Sequence, residues 1–275
     1  MTTLIVGCGY LGRRVAARLL ARGERVIGTT RSPQWASSLA GFGIIPVVFD
    51  VLGSSFDLPD FDRLVYCIGY DRGSGRAMRE VYVDGLRRFF ERAPAFDRFV
   101  YTSSTGVYGQ DDGSWVTEDD PAEPRHESGR ICLDAEHEAR DKGATVVRLA
   151  GLYGPGRIIR RAAILAGEPI SGDPDRPVNL VQIDDAATAT IAALDRGVTG
   201  LIYNVADDRP PSRRELYTIT AQLLDAPAPT FVAGHSSREE SNRRISNHRM
   251  KDDLAVALAY PDITTGLPAS VSAEG

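Results

Sequence analysis

The stretch VGCGYLG, residues 6–12, comes directly after an apolar run and directly before a segment with helical periodicity. Its three glycines have the spacing G-x-G-x-x-G. In a strand–turn–helix context the first glycine permits a tight turn, the second lets the backbone approach a pyrophosphate, and the third lets helix and strand pack closely. The alternative is a glycine turn that serves packing alone. The residues predicted to contact a dinucleotide here are Gly7, Gly9, Tyr10, Leu11 and Gly12.

Outward from this turn, short β-branched runs such as RVIGTTR, IIPVVFDV, RLVYCIG, RFVYTSS and ATVVRLAG alternate with helical patterns such as VYVDGLRRFFERA. Apolar strands separated by crossovers of this length imply a parallel sheet covered on both faces. We therefore predict an α/β fold, a Rossmann-like doubly wound parallel sheet with a small C-terminal substrate lobe. Residues 1–150 are expected to form the dinucleotide-binding core. Residues 151–275 read as a mixed segment that returns to the core and forms the lobe.

The bulk properties exclude several classes of protein. The 275 residues carry a net charge of −5, which disfavours general nucleic-acid binding. The chain has no apolar run long enough to cross a bilayer, and its Cys and His residues show no metal-ligand spacing. These features predict a cytoplasmic protein with reduced thiols, without a membrane partner and without a metal.

The end of the second predicted strand discriminates between the two nicotinamide cofactors. An acidic residue there would bind the ribose hydroxyls of NAD, whereas this chain has GTTRSP with Arg31 at that place. A guanidinium suits a 2′-phosphate because its planar fork donates two hydrogen bonds. NADP(H) is therefore predicted, with NAD(H) the less favoured cofactor. The alternative for Arg31 is a solvated charge at a strand end.

The next two strand ends are predicted to complete the cofactor site. Asp50 follows IIPVVF and is placed to accept a hydrogen bond from the adenine amino group, unless it is an ordinary turn residue. The segment YCIG ends a strand where the ribose and pyrophosphate of a dinucleotide would pass. The residues predicted from these two ends are Asp50, Val51, Cys67, Ile68 and Gly69.

With GCGYLG, YTSSTGVYG, VVRLAGLYGPGR, VQIDDAATA and LIYNVADD in this order, the chain resembles the extended and atypical short-chain dehydrogenase/reductases of the NAD-dependent epimerase/dehydratase group. The resemblance covers nearly the whole chain. It implies a small-molecule substrate and leaves open a homodimer formed through paired helices. It also implies that Ser104, three residues before Val107, is the active-site hydroxyl that hydrogen-bonds the substrate oxygen. The alternative is a hydroxyl that satisfies backbone at a strand end.

The resemblance fails at the acid/base pair. The family has a tyrosine as acid/base and a lysine four residues later, and the glutamate that follows them is matched by Glu136. That register puts Ser128 at the tyrosine position and Cys132 at the lysine position. Neither lysine of the chain has a tyrosine four residues before it. The family's helical asparagine is also replaced, by Tyr82.

Few side chains are candidates to replace the missing acid. Tyr108 follows Ser104 closely, but packing beneath the loop is the simpler interpretation of its ring. Cys132 would need an activating base to act as a nucleophile, and it otherwise reads as a small core residue. Ser128 could equally be a helix cap. His126 and Tyr153 are further candidates, with a surface histidine and a packed loop aromatic as the alternatives.

The leading hypothesis is an NADP(H)-binding oxidoreductase or epimerase/dehydratase-like enzyme that acts on a carbonyl or hydroxyl carbon with a non-standard active site. The alternative is a catalytically silent NADP(H)-binding redox sensor or scaffold. Two groups of arginines would favour an anionic substrate if they face the cleft, although solvated faces are the default explanation. These arginines are Arg157, Arg160, Arg161, Arg243, Arg244 and Arg249.

Overall fold

A computed structural model describes residues 1–53, 58–232 and 241–273 of the protein. The strands are β1 (Thr2–Val6), β2 (Arg25–Thr30), β3 (Ile45–Val48), β4 (Arg63–Tyr66), β5 (Arg98–Ser104), β6 (Trp115–Val116), β7 (Thr145–Leu149), β8 (Gly151–Tyr153), β9 (Ile170–Ser171), β10 (Leu180–Gln182), β11 (Ile202–Val205), β12 (Phe231–Val232) and β13 (Arg244–Ile245). The α-helices are α1 (Tyr10–Ala21), α2 (Pro33–Gly41), α3 (Gly85–Phe90), α4 (Glu127–Asp141), α5 (Arg161–Leu165), α6 (Ile183–Arg196), α7 (Arg213–Leu223), α8 (His248–Leu254) and α9 (Ile263–Ser272). The pattern VYVDGLRRFFERA forms a π-helical turn, Glu80–Asp84, that continues into α3.

The main sheet has the strand order β11-β7-β5-β4-β1-β2-β3, and all of its pairings are parallel. β1 pairs with β2 on one side and with β4 on the other, so the winding direction reverses at β1. Such a reversal opens a crevice at the carboxyl ends of the strands, where open α/β sheets bind ligands. The predicted Rossmann-like, doubly wound parallel fold is confirmed.

Helices cover both faces of the sheet and bury two apolar clusters. Ile5 of β1 points into a cluster with side chains of α1 and α6, and its neighbour Leu4 points into one with side chains of α3 and α4. Alternate residues of a strand face opposite sides of the sheet, so a strand covered on both faces must be apolar throughout. This is why the last three residues of β1, Leu4–Val6, are all apolar although they alternate between the two faces.

The predicted small C-terminal lobe has its own buried cluster. Tyr153, Ile164, Leu216 and Leu267 pack together there, and these residues come from β8, α5, α7 and α9. β11 and α6 also follow residue 150, but they belong to the main sheet and to its covering layer. The division into residues 1–150 and 151–275 stays a prediction.

Asp207 lies directly after β11 and is only 2% exposed. Its carboxylate accepts a hydrogen bond from the backbone N–H of Gln182 at 3.2 Å. Burial raises the pKa of this carboxyl to about 8, and the nearby charges of Asp185 and Asp262 add to the increase. The folded protein therefore holds a proton on Asp207 at neutral pH.

This raised pKa makes stability depend on pH. Unfolded Asp titrates near pH 4. Between roughly pH 4 and the folded pKa of about 8, the folded state binds a proton that the unfolded state has released. The free energy of unfolding should therefore fall as pH rises, by up to about 1.4 kcal/mol per pH unit from this group. Asp207→Asn should remove that contribution in urea titrations from pH 5 to pH 8. Equal slopes for the two proteins would contradict the assignment.

Candidate functional site

The carboxyl ends of the central strands open into a cavity with a volume of about 670 Å³. One half of its wall comes from the ends of β2 and β3, and we call it the β2–β3 half. The other comes from the ends of β5 and β7, and we call it the β5–β7 half. The glycine turn after β1 lies between them. The sequence-predicted residues that line this cavity are Gly7, Gly9, Tyr10, Leu11, Arg31, Asp50, Val51, Cys67, Ile68, Gly69, Ser104 and Cys132.

The three glycines of the turn have different surroundings. Gly7 has a φ of +94°, and a Cβ built there would stand 2.8 Å from the backbone of Ile68. A Cβ on Gly12 would stand 2.6 Å from the carbonyl oxygen of Gly7. Gly9 differs, because a Cβ there would meet nothing within 4 Å. Two glycines therefore hold the turn together, while the third leaves space on the cavity side.

The turn fits a pyrophosphate on physical grounds. Thr29 fixes it to β2, since its Oγ1 accepts from the N–H of Gly7 at 2.9 Å and its carbonyl accepts from the N–H of Cys8 at 3.0 Å. α1 then begins at Tyr10, without a side-chain cap and without an acidic residue in its first turn. The first turn of a helix attracts anions through its N–H groups and its dipole. The open space beside Gly9 is where such an anion would lie.

In the β2–β3 half, Arg31 lies as predicted at the end of β2, where its guanidinium forms an ion pair with Asp71 at 3.3 Å. Both side chains are about half exposed. The guanidinium of Arg13 lies 5.5 Å from the ring centroid of Trp35, and both of these residues also line the cavity. Sequence reasoning missed Arg13 and Trp35. The available signals were an arginine directly after the glycine turn and a tryptophan in the first turn after GTTRSP.

The carboxylate of Asp50 has partners within the protein that the sequence did not indicate. Both of its oxygens accept hydrogen bonds from Arg76, each at 2.7 Å, and one also accepts from the N–H of Leu52 at 3.0 Å. Hydrogen bonding to Arg76 lowers the pKa of Asp50. Asp50 lines the cavity, and its carboxylate keeps one acceptor site beyond these three hydrogen bonds. The expectation that it accepts from the adenine amino group stays a prediction.

In the β5–β7 half, Ser104 and Cys132 face the same cavity. The Ser104 hydroxyl accepts from the N–H of Gly106 at 3.0 Å, so its own proton remains to be donated. Burial, together with the charge of Glu136, raises the pKa of the Cys132 thiol to about 11. A neutral thiol is a poor nucleophile at pH 7. The hydroxyl of Ser103, in the same wall, is buried and has no hydrogen-bond partner among the described residues.

Three of the candidate acids lie elsewhere. The Tyr108 hydroxyl donates to Asn204 Oδ1 at 2.9 Å, and its ring packs under the guanidinium of Arg148. Ser128 is exposed within α4 and does not line the cavity. The N-cap of α4 is His126, so Ser128 is not the helix cap either. Tyr153 is buried in the lobe cluster.

Of the six arginines considered for an anionic substrate, the cavity wall contains Arg157 alone. Its guanidinium lies 5.5 Å from the ring centroid of Tyr10, whose hydroxyl donates to the carbonyl of Pro155 at 3.1 Å. Arg243 is buried and donates to the carbonyl of Thr105 at 3.0 Å. Arg249 pairs with Asp119 at 2.6 Å. The tail arginines therefore hold loops together.

A parallel sheet that reverses its winding at β1, with a glycine turn at that point, defines a Rossmann-type α/β protein. Residues 3–206 match the NAD dependent epimerase/dehydratase family, and the chain belongs to this family. Protein YeeZ of Escherichia coli K12 is 32% identical over 271 residues, which cover 94% of this chain and 96% of YeeZ. The UDP-glucose 4-epimerase of Mycolicibacterium smegmatis is 27% identical, with 94% of this chain and 95% of the epimerase covered.

Among solved structures, the UDP-glucuronic acid 4-epimerase of Bacillus cereus, in complex with UDP-glucuronic acid and NAD, superposes with a TM-score of 0.82. The two chains are 19% identical, and 99% of this chain and 98% of the epimerase are covered. At this identity the likeness shows the shared fold alone. Within the described ranges, no helix is both long and apolar enough to span a bilayer, and no group of three His, Cys, Asp or Glu residues could hold a metal.

The different surroundings of Gly9 and Gly12 predict different effects of substitution on stability. Gly12→Ala should lower the free energy of unfolding by about 1–3 kcal/mol, because its methyl group would overlap a backbone oxygen. Gly9→Ala should change it by less than about 1 kcal/mol, since φ at this position is negative and a methyl group would meet nothing within 4 Å. Urea denaturation of the two variants beside the wild type measures both effects. A Gly12→Ala variant as stable as the wild type would contradict this account.

Proposed function

We propose that the protein is an NADP(H)-dependent oxidoreductase or epimerase/dehydratase-like enzyme that acts on a carbonyl or hydroxyl carbon of a small molecule. One observation carries the proposal: the glycine turn and the Ser104 hydroxyl line the same cavity, whose volume of about 670 Å³ lies in the range of small-molecule and cofactor sites. Residues 1–150 would bind the dinucleotide, and the lobe within residues 151–275 would hold the substrate.

The preference for a phosphorylated cofactor rests on charge. The family name and the Bacillus cereus complex point to NAD. The guanidiniums of Arg13, Arg31 and Arg76 in the β2–β3 half instead favour a 2′-phosphate. Arg31 is the one at the end of β2. Its ion pair with Asp71 joins two side chains that are 48% and 56% exposed, and pairs of this kind contribute little to stability. A phosphate dianion would therefore displace Asp71 at small cost.

The proposed chemistry follows from the hydrogen-bond donors among the side chains that line the cavity. When bound, the nicotinamide supplies or accepts the hydride. The Ser104 hydroxyl would donate to the substrate oxygen, because its acceptor side is already occupied by the N–H of Gly106. Leu149, Ala150 and Leu152 contribute apolar surface to the same cavity. The absence of the usual tyrosine and lysine should lower turnover by about 10²–10⁴, the typical contribution of a positioned general acid.

The substrate is proposed to be anionic. Arg157 contributes a guanidinium to the cavity wall, where it contacts the ring of Tyr10. Guanidiniums recognise phosphate groups through paired hydrogen bonds. Two of the proteins named above, the UDP-glucose 4-epimerase and the UDP-glucuronic acid 4-epimerase, are named for UDP-sugars, which are diphosphate esters. A nucleotide sugar or a similar phosphorylated small molecule would satisfy Arg157.

Calorimetry tests the cofactor assignment. NADPH should bind the wild type more tightly than NADH, and Arg31→Ala should weaken NADPH binding about 10- to 100-fold, the value of a lost hydrogen bond to a charged group. NADH binding should be unchanged. Arg25→Ala is the matched control, because Arg25 lies at the opposite end of β2 and is exposed. A preference for NADH that survives Arg31→Ala would reject the NADP(H) assignment.

Turnover tests the role of Ser104. NADPH oxidation should be followed with nucleotide sugars, phosphorylated ketones and aldehydes. Ser104→Ala should lower the rate on any accepted substrate by about 10²–10³, as loss of a positioned donor does at comparable sites. Ser128→Ala serves as the control, since Ser128 is exposed and lies outside the cavity. Equal rates for Ser104→Ala and the wild type would remove Ser104 from the mechanism.

A further inference from the structure

The π-helical turn Glu80–Asp84 contributes a side chain to the β5–β7 half that the proposed chemistry does not use. Tyr82 lies in the middle of this turn and lines the cavity together with Cys132 and Ser104. π-Helical turns are rare and occur frequently at functional sites. The helix that follows is held against the cavity floor, because Gly85 packs so closely on Val51 that a Cβ would stand 2.6 Å from a methyl carbon.

The hydrogen bonds of Tyr82 leave it with one proton to donate. Its phenol oxygen accepts from the backbone N–H of Tyr70 at 3.0 Å. The two rings meet edge to face, with their centroids 6.3 Å apart. The Tyr70 hydroxyl has a different partner from the Tyr82 hydroxyl, because it donates to the carbonyl of Arg76 at 2.8 Å. The phenol of Tyr82 is therefore fixed in position while its O–H remains available.

The Ser104 hydroxyl has the same hydrogen-bond pattern as the Tyr82 hydroxyl. Its oxygen also accepts a backbone N–H at 3.0 Å and keeps its proton. Thr102 of the same wall differs, since its hydroxyl donates to the carbonyl of Tyr66 at 3.3 Å. The Cys132 thiol is a weak donor. Burial raises the pKa of the Tyr82 phenol, so the phenol remains protonated at neutral pH. Tyr82 thus supplies the β5–β7 half with a strong neutral donor beside Cys132.

The position of Tyr82 in the cavity indicates which part of a bound dinucleotide it would contact. A dinucleotide held by the turn after β1 crosses the switch point of the sheet. Its adenosine would lie in the β2–β3 half, and its nicotinamide nucleoside would lie in the β5–β7 half. We infer that the Tyr82 hydroxyl donates a hydrogen bond to a ribose hydroxyl of the nicotinamide nucleoside, in the space left by the small side chain of Cys132. This inference rests on the proposed function and adds a binding residue to it.

Binding of whole and half ligands tests the inference without turnover. Tyr82→Phe should weaken NADPH about three- to tenfold, the value of one neutral hydrogen bond, and should leave 2′,5′-ADP, the adenosine half alone, within about twofold. NADH and AMP serve as the parallel pair without the 2′-phosphate. Tyr70→Phe is the matched control. Its hydroxyl contacts Arg76 of the β2–β3 half, so any effect should be equal for the whole ligand and its half.

A second measurement uses the wild type and so does not depend on how well a variant folds. An NADPH analogue that lacks the 2′ and 3′ hydroxyls of the nicotinamide-side ribose should bind the wild type about three- to tenfold more weakly than NADPH. Tyr82→Phe should bind the two equally. If Tyr82→Phe has no effect, or weakens NADPH and 2′,5′-ADP by the same factor, the role of Tyr82 is overturned while the proposed function stands. If neither dinucleotide binds the wild type, the proposed function itself is rejected.

Discussion

The site depends on the close approach of three backbone segments that side chains would otherwise keep apart. Gly7 allows the end of β1 to contact the backbone at Ile68 after β4, and Gly12 allows the first turn of α1 to contact the carbonyl of Gly7. These contacts bring the start of a helix to the point where the sheet reverses its winding. The cavity exists because the carboxyl ends of β1 and β4, together with the N-terminus of α1, converge there, and the other wall residues follow from the strand order.

Local patterns predicted the fold well because its determinants are local. Apolar runs fully buried in a parallel sheet, and a glycine turn between strand and helix, can be read within ten residues. The ion pair of Asp50 could not be predicted, for the opposite reason. Its partner Arg76 is 26 residues away, and no pattern around Asp50 indicates a bidentate ion pair. From the sequence, Tyr82 is only a replacement of the family's helical asparagine. Its orientation depends on a π-helical turn that helical periodicity does not reveal.

The segment between β4 and α3 joins the two halves of the cavity. Asp50 binds Arg76, the carbonyl of Arg76 accepts from Tyr70, and the N–H of Tyr70 binds Tyr82. A cofactor that displaced Asp71 from Arg31 would act on this same segment, since Asp71 lies next to Tyr70. Under the proposed function, recognition at the adenosine end and orientation at the reacting end would both depend on this one stretch of chain.

The placement of β11 has a consequence for biosynthesis. β7 lies between β5 and β11, so one of its edges is covered only by a strand that begins at Ile202. While the chain emerges from the ribosome, this edge would remain unpaired until more than fifty further residues have been translated. Unpaired edges of apolar strands recruit other chains. Until β11 is complete, the nascent protein would therefore expose the edge of β7, a strand whose five residues are all buried in the finished fold.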